Sequence, residues 1–319
     1  MSVSVIGCGR WGTFLGWYAN KIGHEVLIWG RESSCNMAKL IETRKNEYLQ
    51  LNDDVVLTTS LEAAINFSDF IIISISSQQL RTMCQRLNEL DLNGKTIILA
   101  MKGIEVDTGF RLSQVLLSEI KQHINVSIWV GPGHTQAFTE GIPNCMLISS
   151  TNIDISKKIV DEFSSELIRL YIGQDIIGNE IGAAAKNVIG IAAGMLDGLN
   201  FSSLKGALMA RGSREVARLV RAMGGNELTV YGLSHIGDYE ATLFSEFSHN
   251  RKFGEDFVKG VEFNKLAEGV STVKALLLLA KKCYVDMPIC NAIYSILYNN
   301  EDPKQVLNDL FLRPITFEF

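Results

Sequence analysis

SVSVIGCGRWGT, residues 2–13, decides how the rest of the chain is read. A short β-branched run ending at Ile6 breaks at Gly7-Cys8-Gly9-Arg10-Trp11-Gly12 and leads into an amphipathic helical stretch. Glycines at these spacings permit a tight turn and let backbone N–H groups and a helix N-terminus approach a pyrophosphate. The pattern GxGxxG is common by itself, and its position between a strand and a helix is what makes it informative. A generic glycine turn is the competing reading. On the dinucleotide reading, Gly7, Gly9, Arg10, Trp11 and Gly12 bind the cofactor.

Outward from this loop, EVLIWG (25–30), FIIISI (70–75), TIILAM (96–101) and SIWVG (127–131) are continuous apolar runs separated by helical stretches. Such runs are the mark of strands buried on both faces of a parallel sheet. CMLISS (145–150) and IRLYIG (168–173) read as further strands added at one edge. After about Asn179 strand-like runs nearly vanish, and long helical stretches separated by glycine-rich breaks follow. The expected fold is therefore an α/β Rossmann-like doubly wound domain over residues 1–178, joined to an all-α domain over 179–319. No Pro/Ser-rich linker separates them, so they should pack tightly around a cleft. The hydrophobic end FLRPITFEF (311–319) is expected to dock on the body or on a partner subunit.

Composition narrows the function. The 319 residues are 47% hydrophobic and 20% charged, with a formal net charge of −5 and no block of like charges. Nothing here suits nucleic acid or an anionic membrane surface, and a small anionic substrate would need local cations. Six scattered cysteines without a CxxC pair read as free thiols in a reducing compartment. No metal-binding spacing is present, so metal-independent chemistry is expected. The N-terminus lacks a signal-peptide pattern, and no apolar run is long enough to span a bilayer, so a cytoplasmic protein is expected.

The second strand ends in Trp29-Gly30-Arg31-Glu32. Arg31 suits a 2′-phosphate through charge-assisted hydrogen bonds. Glu32 suits a ribose hydroxyl. NADP(H) and NAD(H) both stay open. Within IGAAAKNVIGIAAG, Lys186 is the one charge in a small and apolar helical run. Burial there would bring its pKa toward the working pH and make it a general acid. A lysine that snorkels to solvent is the bland alternative. Lys102 follows the fourth predicted strand, at the carboxyl edge where ligands bind in open α/β sheets.

Several segments in order resemble the bacterial type of NAD(P)-dependent glycerol-3-phosphate dehydrogenase. They are GCGRWGT (7–13), NEYL (46–49), Ser76-Ser77-Gln78, KGIE (102–105), Gly131-Pro132, EIGAAAKNVIGIAAGMLDGL (180–199), Ala210-Arg211-Gly212, GLSHIGD (232–238), Asn250-Arg251, LAEG (266–269) and Met287-Pro288-Ile289. The resemblance implies reversible reduction of dihydroxyacetone phosphate to sn-glycerol 3-phosphate with NAD(P)H, supplying glycerol phosphate for phospholipid synthesis, by a homodimer. It makes Lys186 the catalytic acid/base, paired with Asp238, while Lys102 orients substrate and contacts the nicotinamide. It assigns Tyr48, Thr135, Leu266 and Glu268 to the cofactor, with Glu268 on the nicotinamide-side ribose. Gly131 and Gly133 would offer backbone N–H groups to the substrate. Ser248, His249, Asn250 and Arg251 would form the phosphate grip and reach the cofactor through His249.

The chain departs from the family pattern in three places. His249 replaces the arginine of Ser-Arg-Asn, Gly133 replaces the serine of the GPS motif, and Thr135 replaces a small alanine. A histidine carries less charge at neutral pH and cannot form a bidentate fork. Arg251 is expected to take over part of that work, and phosphate affinity to be weaker and to improve at lower pH. A related two-domain dehydrogenase acting on a hydroxy acid or ketopantoate-like substrate, and a non-catalytic NADPH-binding protein, are the remaining readings.

Overall fold

The structure is a computed structural model that describes residues 1–314. The last five residues of FLRPITFEF, and with them the expected docking of that segment, lie outside the described residues.

Eight strands form one sheet: β1 (Ser2–Ile6), β2 (Glu25–Trp29), β3 (Val56–Thr58), β4 (Phe70–Ile73), β5 (Thr96–Leu99), β6 (Asn125–Val130), β7 (Asn144–Ser150) and β8 (Ile168–Gly173). Their order is β3-β2-β1-β4-β5-β6-β7-β8, parallel throughout except between β6 and β7. The apolar runs are explained by burial on two sides. Val3, Val5, Ile72, Ile98 and Trp129 enter one core, and Ile6, Ile71, Ile73, Ile97, Leu99 and Ile128 the other, with the period-two alternation of a pleated strand. β7 and β8 stand at one edge, as the sequence suggests. β3 is the strand that sequence reading misses, because it has three residues and lies at the opposite edge with Val56 exposed.

Chain order reverses between β1 and β4, which makes that junction a topological switch point. The parallel strands β1, β4, β5 and β6 deliver Gly7, Ser74, Lys102 and Gly131 to a single edge of the sheet.

Beyond β8 the described residues are helical. The helix Ile176–Gly198 is buried from Gly178 to Leu196 and forms the centre of a third core. Asp175 caps it, its carboxylate accepting from Gly178 N at 3.0 Å, so a division at 178/179 falls inside the first helical turn. Glu180 on this helix reaches back toward the sheet. It accepts from the Ser113 N–H at 2.8 Å and the Ser113 hydroxyl at 2.6 Å, and pairs with Arg111. Both members of that ion pair are buried, which ties the central helix to the sheet layers.

Glycines set how closely helices approach this one. A Cβ at Gly190 would lie 2.7 Å from Thr242 Cγ2, one at Gly194 would overlap the Arg251 carbonyl, and one at Gly198 would overlap Val258. Gly254, on the helix His249–Val258, meets Ile191 in return. Gly194→Ala is therefore expected to destabilise the protein by about 1–3 kcal/mol through overpacking against backbone. Urea unfolding checks this, and a loss below about 0.5 kcal/mol would contradict the close approach. Among the described residues no helix is long and apolar enough to cross a membrane. All six cysteines are free.

Candidate active site

Three charged side chains meet at the carboxyl edge of the sheet. Lys186 Nζ lies 2.7 Å from Asp238 Oδ2, and Lys102 Nζ lies 2.7 Å from the same oxygen. Lys186 also donates to the Thr242 hydroxyl at 2.6 Å, and Lys102 to the Gly131 carbonyl at 2.9 Å. Asp238 is 1% exposed and Lys186 6%. Lys186 thus sits where its helix is buried all round, and snorkelling is ruled out by that burial. Its pKa is pushed down to about 7, chiefly because burial penalises the ammonium and further because Lys102 is close, with Asp238 opposing both.

Each member arrives for a local reason. Lys186 is fixed by a long, capped, buried helix. Asp238 ends the one-turn 3-10 helix Ile236–Asp238 within a glycine-rich loop. Lys102 follows β5 in a turn that Gln78 holds, donating to the Ile104 carbonyl and accepting from Val106 N–H. Glu105 of the same turn forms a two-pronged pair with Arg81, both arms 2.7 Å. Gly131 has φ +134°, a left-handed conformation that glycine adopts freely, and its carbonyl accepts from Lys102. Thr242 is the residue at this site that sequence reading missed. It lies on a five-residue π-helix, Glu240–Phe244, and π-turns have no simple sequence signature although they recur at functional sites.

Gly133 has a structural explanation different from a lost hydroxyl. Its φ is +148°, and a Cβ there would overlap the Phe138 ring. Phe138 belongs to a stack with Phe14 (5.1 Å) and Trp11 (6.4 Å) beneath the glycine loop. Gly133→Ser is accordingly expected to destabilise the fold by about 1–3 kcal/mol. Thermal unfolding tests it, and an unchanged midpoint would count against the steric account. His134 faces Phe247 at 5.7 Å and is pushed down to about 4 by burial and by the charges of Arg10 and Lys186. At neutral pH it is uncharged, in keeping with a loop-ordering role. Thr135 is buried, its hydroxyl without a protein partner.

The glycine loop has the shape its motif requires. Gly7 is at φ +127°, and a Cβ there would overlap the Ser74 carbonyl. A Cβ at Gly12 would overlap the Gly7 carbonyl, so helix and turn touch. Gly9 faces open space instead, and no side chain caps the helix Arg10–Lys21 that follows. That open, uncapped N-terminus is a cradle for an anion. Arg10 lies over the Tyr48 ring at 5.7 Å and has no acidic partner among the described residues. Arg31 is exposed on the loop after β2. These residues fit a dinucleotide.

The segment 248–251 is less simple than its motif. The Ser248 hydroxyl caps its helix by accepting from Arg251 N–H at 3.3 Å. Asn250 donates to Asn187 Oδ1 at 3.0 Å and accepts from Gly269 N–H at 2.9 Å, joining three helices. Arg251 does not point into the cluster. Its guanidinium donates to Asp197 at 2.8 Å, to Glu255 at 3.1 Å and to the Ser245 carbonyl at 3.0 Å. Asp197 lies three helical turns beyond Lys186, so the expected takeover of phosphate binding by Arg251 finds no support in this arrangement. His249 bonds through Nδ1 to the Leu266 carbonyl at 3.3 Å, and its pKa is lowered by burial and by the nearby charge of Arg10. Leu266 is otherwise exposed. Glu268 accepts from the Ser77 hydroxyl at 2.7 Å and N–H at 3.3 Å, spanning the cleft between the helical part and the β4 turn, and burial raises its pKa.

Comparison with known proteins points the same way. A family model described as the NAD-dependent glycerol-3-phosphate dehydrogenase N-terminus matches residues 2–156, and the corresponding C-terminus model matches 175–308. A glycerol-3-phosphate dehydrogenase of the NAD(P)+ type from Pelodictyon phaeoclathratiforme is 34% identical over 331 aligned positions, covering 100% of this chain and 99% of its own. One from Clostridium botulinum is 35% identical over 323 positions, covering 98% and 97%. The crystal structure of the Coxiella burnetii glycerol-3-phosphate dehydrogenase superposes with a TM-score of 0.92 at 26% identity, over 98% of this chain and 99% of that one. A ketopantoate reductase from Ralstonia eutropha shares the fold alone, at a TM-score of 0.64 and 13% identity, over 96% and 100%. The glycine loop, the paired lysines and the end-to-end similarity agree: this chain belongs to the NAD-dependent glycerol-3-phosphate dehydrogenase family.

Proposed function

We propose that the protein catalyses the reversible reduction of dihydroxyacetone phosphate to sn-glycerol 3-phosphate, with Lys186 as proton donor. The observation that carries this reading is the Lys186–Asp238–Lys102 cluster, with Lys186 and Asp238 buried, at the same carboxyl edge of the sheet that carries the glycine loop. A bound NAD(P)H supplies the hydride. The chain's own residues do the rest. Lys186, with a pKa of about 7, can hold a proton for the ketone oxygen and take it back in the reverse direction at neutral pH. Its ammonium also stabilises negative charge developing on that oxygen. Asp238 and Thr242 fix where the Lys186 amine points. Lys102 adds a second cation and holds the 131–133 turn against the cluster. Gly7, Gly9, Gly12, Arg10, Trp11 and Tyr48 are assigned to the cofactor cradle, the exposed Arg31 to a 2′-phosphate when the cofactor carries one, and Thr135, Leu266 and Glu268 to the cofactor as well. The N-terminus of the His249–Val258 helix, with Ser248, His249 and Asn250, holds the substrate phosphate. Residues 1–178 then serve as the dinucleotide-binding domain and 179–319 as the substrate domain. We take the working state to be a homodimer in the cytoplasm.

The direct experiment is to mix purified protein with dihydroxyacetone phosphate and follow oxidation of NADPH and then of NADH, with Lys186→Ala alongside. Oxidation lost in Lys186→Ala supports the reading. Binding of NADPH without any turnover of this ketone opposes it, and would favour a changed substrate or a non-catalytic role.

The His249 departure has a pH signature. Burial, and then the charge of Arg10, lowers its pKa below the ordinary value, so the ring is mostly neutral at and above neutral pH and gains charge as the pH falls. The KM for dihydroxyacetone phosphate should therefore be nearly flat between about pH 7 and 8 and should fall only below about pH 6.5. The substrate phosphate also titrates near there, and His249→Asn separates the two. An identical slope in that variant would remove the imidazole from the explanation.

A further inference from the structure

Lys186 and Asp238 are held by more than their own ion pair. Three residues before Asp238 lies His235, with no exposed surface. Its Nδ1 is 2.8 Å from the Gly182 carbonyl, one helical turn before Lys186. Its Nε2 is 2.6 Å from the hydroxyl of Tyr239, the residue that follows Asp238. The Tyr239 hydroxyl lies in turn 3.2 Å from Ser213 Oγ on the helix Lys205–Ala222. A carbonyl can only accept, so Nδ1 carries the ring proton and Nε2 accepts from the Tyr239 O–H. Burial pushes the His235 pKa down to about 4, which keeps the ring neutral and this tautomer in place. Gly182 makes the contact possible, because a Cβ there would lie 3.1 Å from His235 Cβ.

We propose that His235 and Tyr239 form a positioning brace that clamps both flanks of Asp238 to the helical turn preceding Lys186, and so fixes the carboxylate against the Lys186 amine. The inference rests on Lys186 being the proton donor. The one-turn 3-10 helix Ile236–Asp238, with Gly237 inside it, is too short to hold its own geometry. Tertiary bonds must help to do so, and those of His235 and Tyr239 are the ones made by the residues that immediately bracket this helical turn. Both rings are buried, so the brace acts through Asp238 and not on the substrate. The ionisable groups around it are Lys186 and Asp238 on the His235 side, and Glu215 and Cys290 on the Tyr239 side.

The test compares Tyr239→Phe and His235→Phe with Glu215→Gln. Glu215 is buried in the same core and accepts from the Ile289 and Cys290 N–H groups, without bonding to the brace. Two quantities are measured: kcat and KM across pH, and the titration of the Lys186 ζ-amine in cofactor-free protein, by NMR of lysine labelled with carbon-13 at Cε and assigned with Lys186→Ala. The brace variants should lower kcat about 10–100-fold while the ketone KM moves less than about threefold. They should shift the Lys186 midpoint by about one pH unit. Glu215→Gln should leave both unchanged despite a loss of stability. A wild-type Lys186 titration in folded Tyr239→Phe would overturn the brace, as would an equal shift in Glu215→Gln. If the wild-type protein shows no turnover, the proposed function fails while the NMR titration still decides the brace.

Discussion

Lys186→Met is expected to lower kcat for ketone reduction by about 10³-fold or more, with a much smaller effect on cofactor binding. General acid catalysis by a positioned side chain contributes roughly 10²–10⁴-fold, and loss of an electrostatic stabiliser adds to this. Methionine keeps the apolar stem and removes the amine, so the buried helix needs no rearrangement. The pH profile gives an independent check. With a pKa near 7, the amine is protonated below that pH and neutral above it. Reduction, which needs the protonated form, should fall as pH rises through about 7. Oxidation of glycerol 3-phosphate, which needs the neutral form, should rise over the same interval. Steady-state rates in both directions between pH 6 and 9 test this. Retention of a limb near pH 7 in the residual activity of Lys186→Met would assign that limb to another group.

Asp238→Asn should be nearly as damaging for a different reason. One carboxylate oxygen, 1% exposed in residue terms, serves two ammonium groups at 2.7 Å each. Removing its charge leaves both cations facing each other in a poorly solvated place. Breaking a buried ion pair in this way costs about 3–5 kcal/mol. Relief comes by deprotonation, and Lys186 is the group to lose its proton because it is the more buried of the two. Its pKa should therefore drop well below 7, leaving too little acid at neutral pH. The expected result is a fall in kcat of about 10²–10³-fold at pH 7.5, partly recovered at pH 6. Urea unfolding and the pH profile measured together decide the matter. Unchanged stability with unchanged kcat would mean that Asp238 is not the shared counter-ion in solution.

These two effects also separate the readings that the sequence left open. A protein that binds NADPH without catalysis would keep the glycine loop but has no need of an amine tuned to about 7 in a buried cluster. The Arg251 result is instructive in the other direction. Its spacing next to His249 and Asn250 suggests a shared task, yet helical geometry turns its side chain toward Asp197 and Glu255. Residues adjacent in a helix point about 100° apart, so a linear motif cannot show which members face the same site.

The features legible in the linear chain follow from local chemistry. Strands buried on both faces are largely apolar, with Ser4 and Ser127 as hydrogen-bonded exceptions, which made β1, β2, β4, β5 and β6 legible, and a turn that must admit a pyrophosphate must be glycine-rich. A lone lysine in a helix of small and apolar residues marked a candidate, while the choice between burial and snorkelling waited for the packing. The tertiary structure alone decided the rest. It brought Lys102, Lys186 and Asp238, which are far apart in sequence, onto one carboxylate oxygen, and added Thr242 from a π-helical turn. It showed that Gly133 is required by the Phe138 ring, and that Arg251 is occupied elsewhere. The physical reason is common to all of these. Backbone preference and burial are written in neighbouring residues, whereas the distance between two side chains depends on how whole helices and sheets pack.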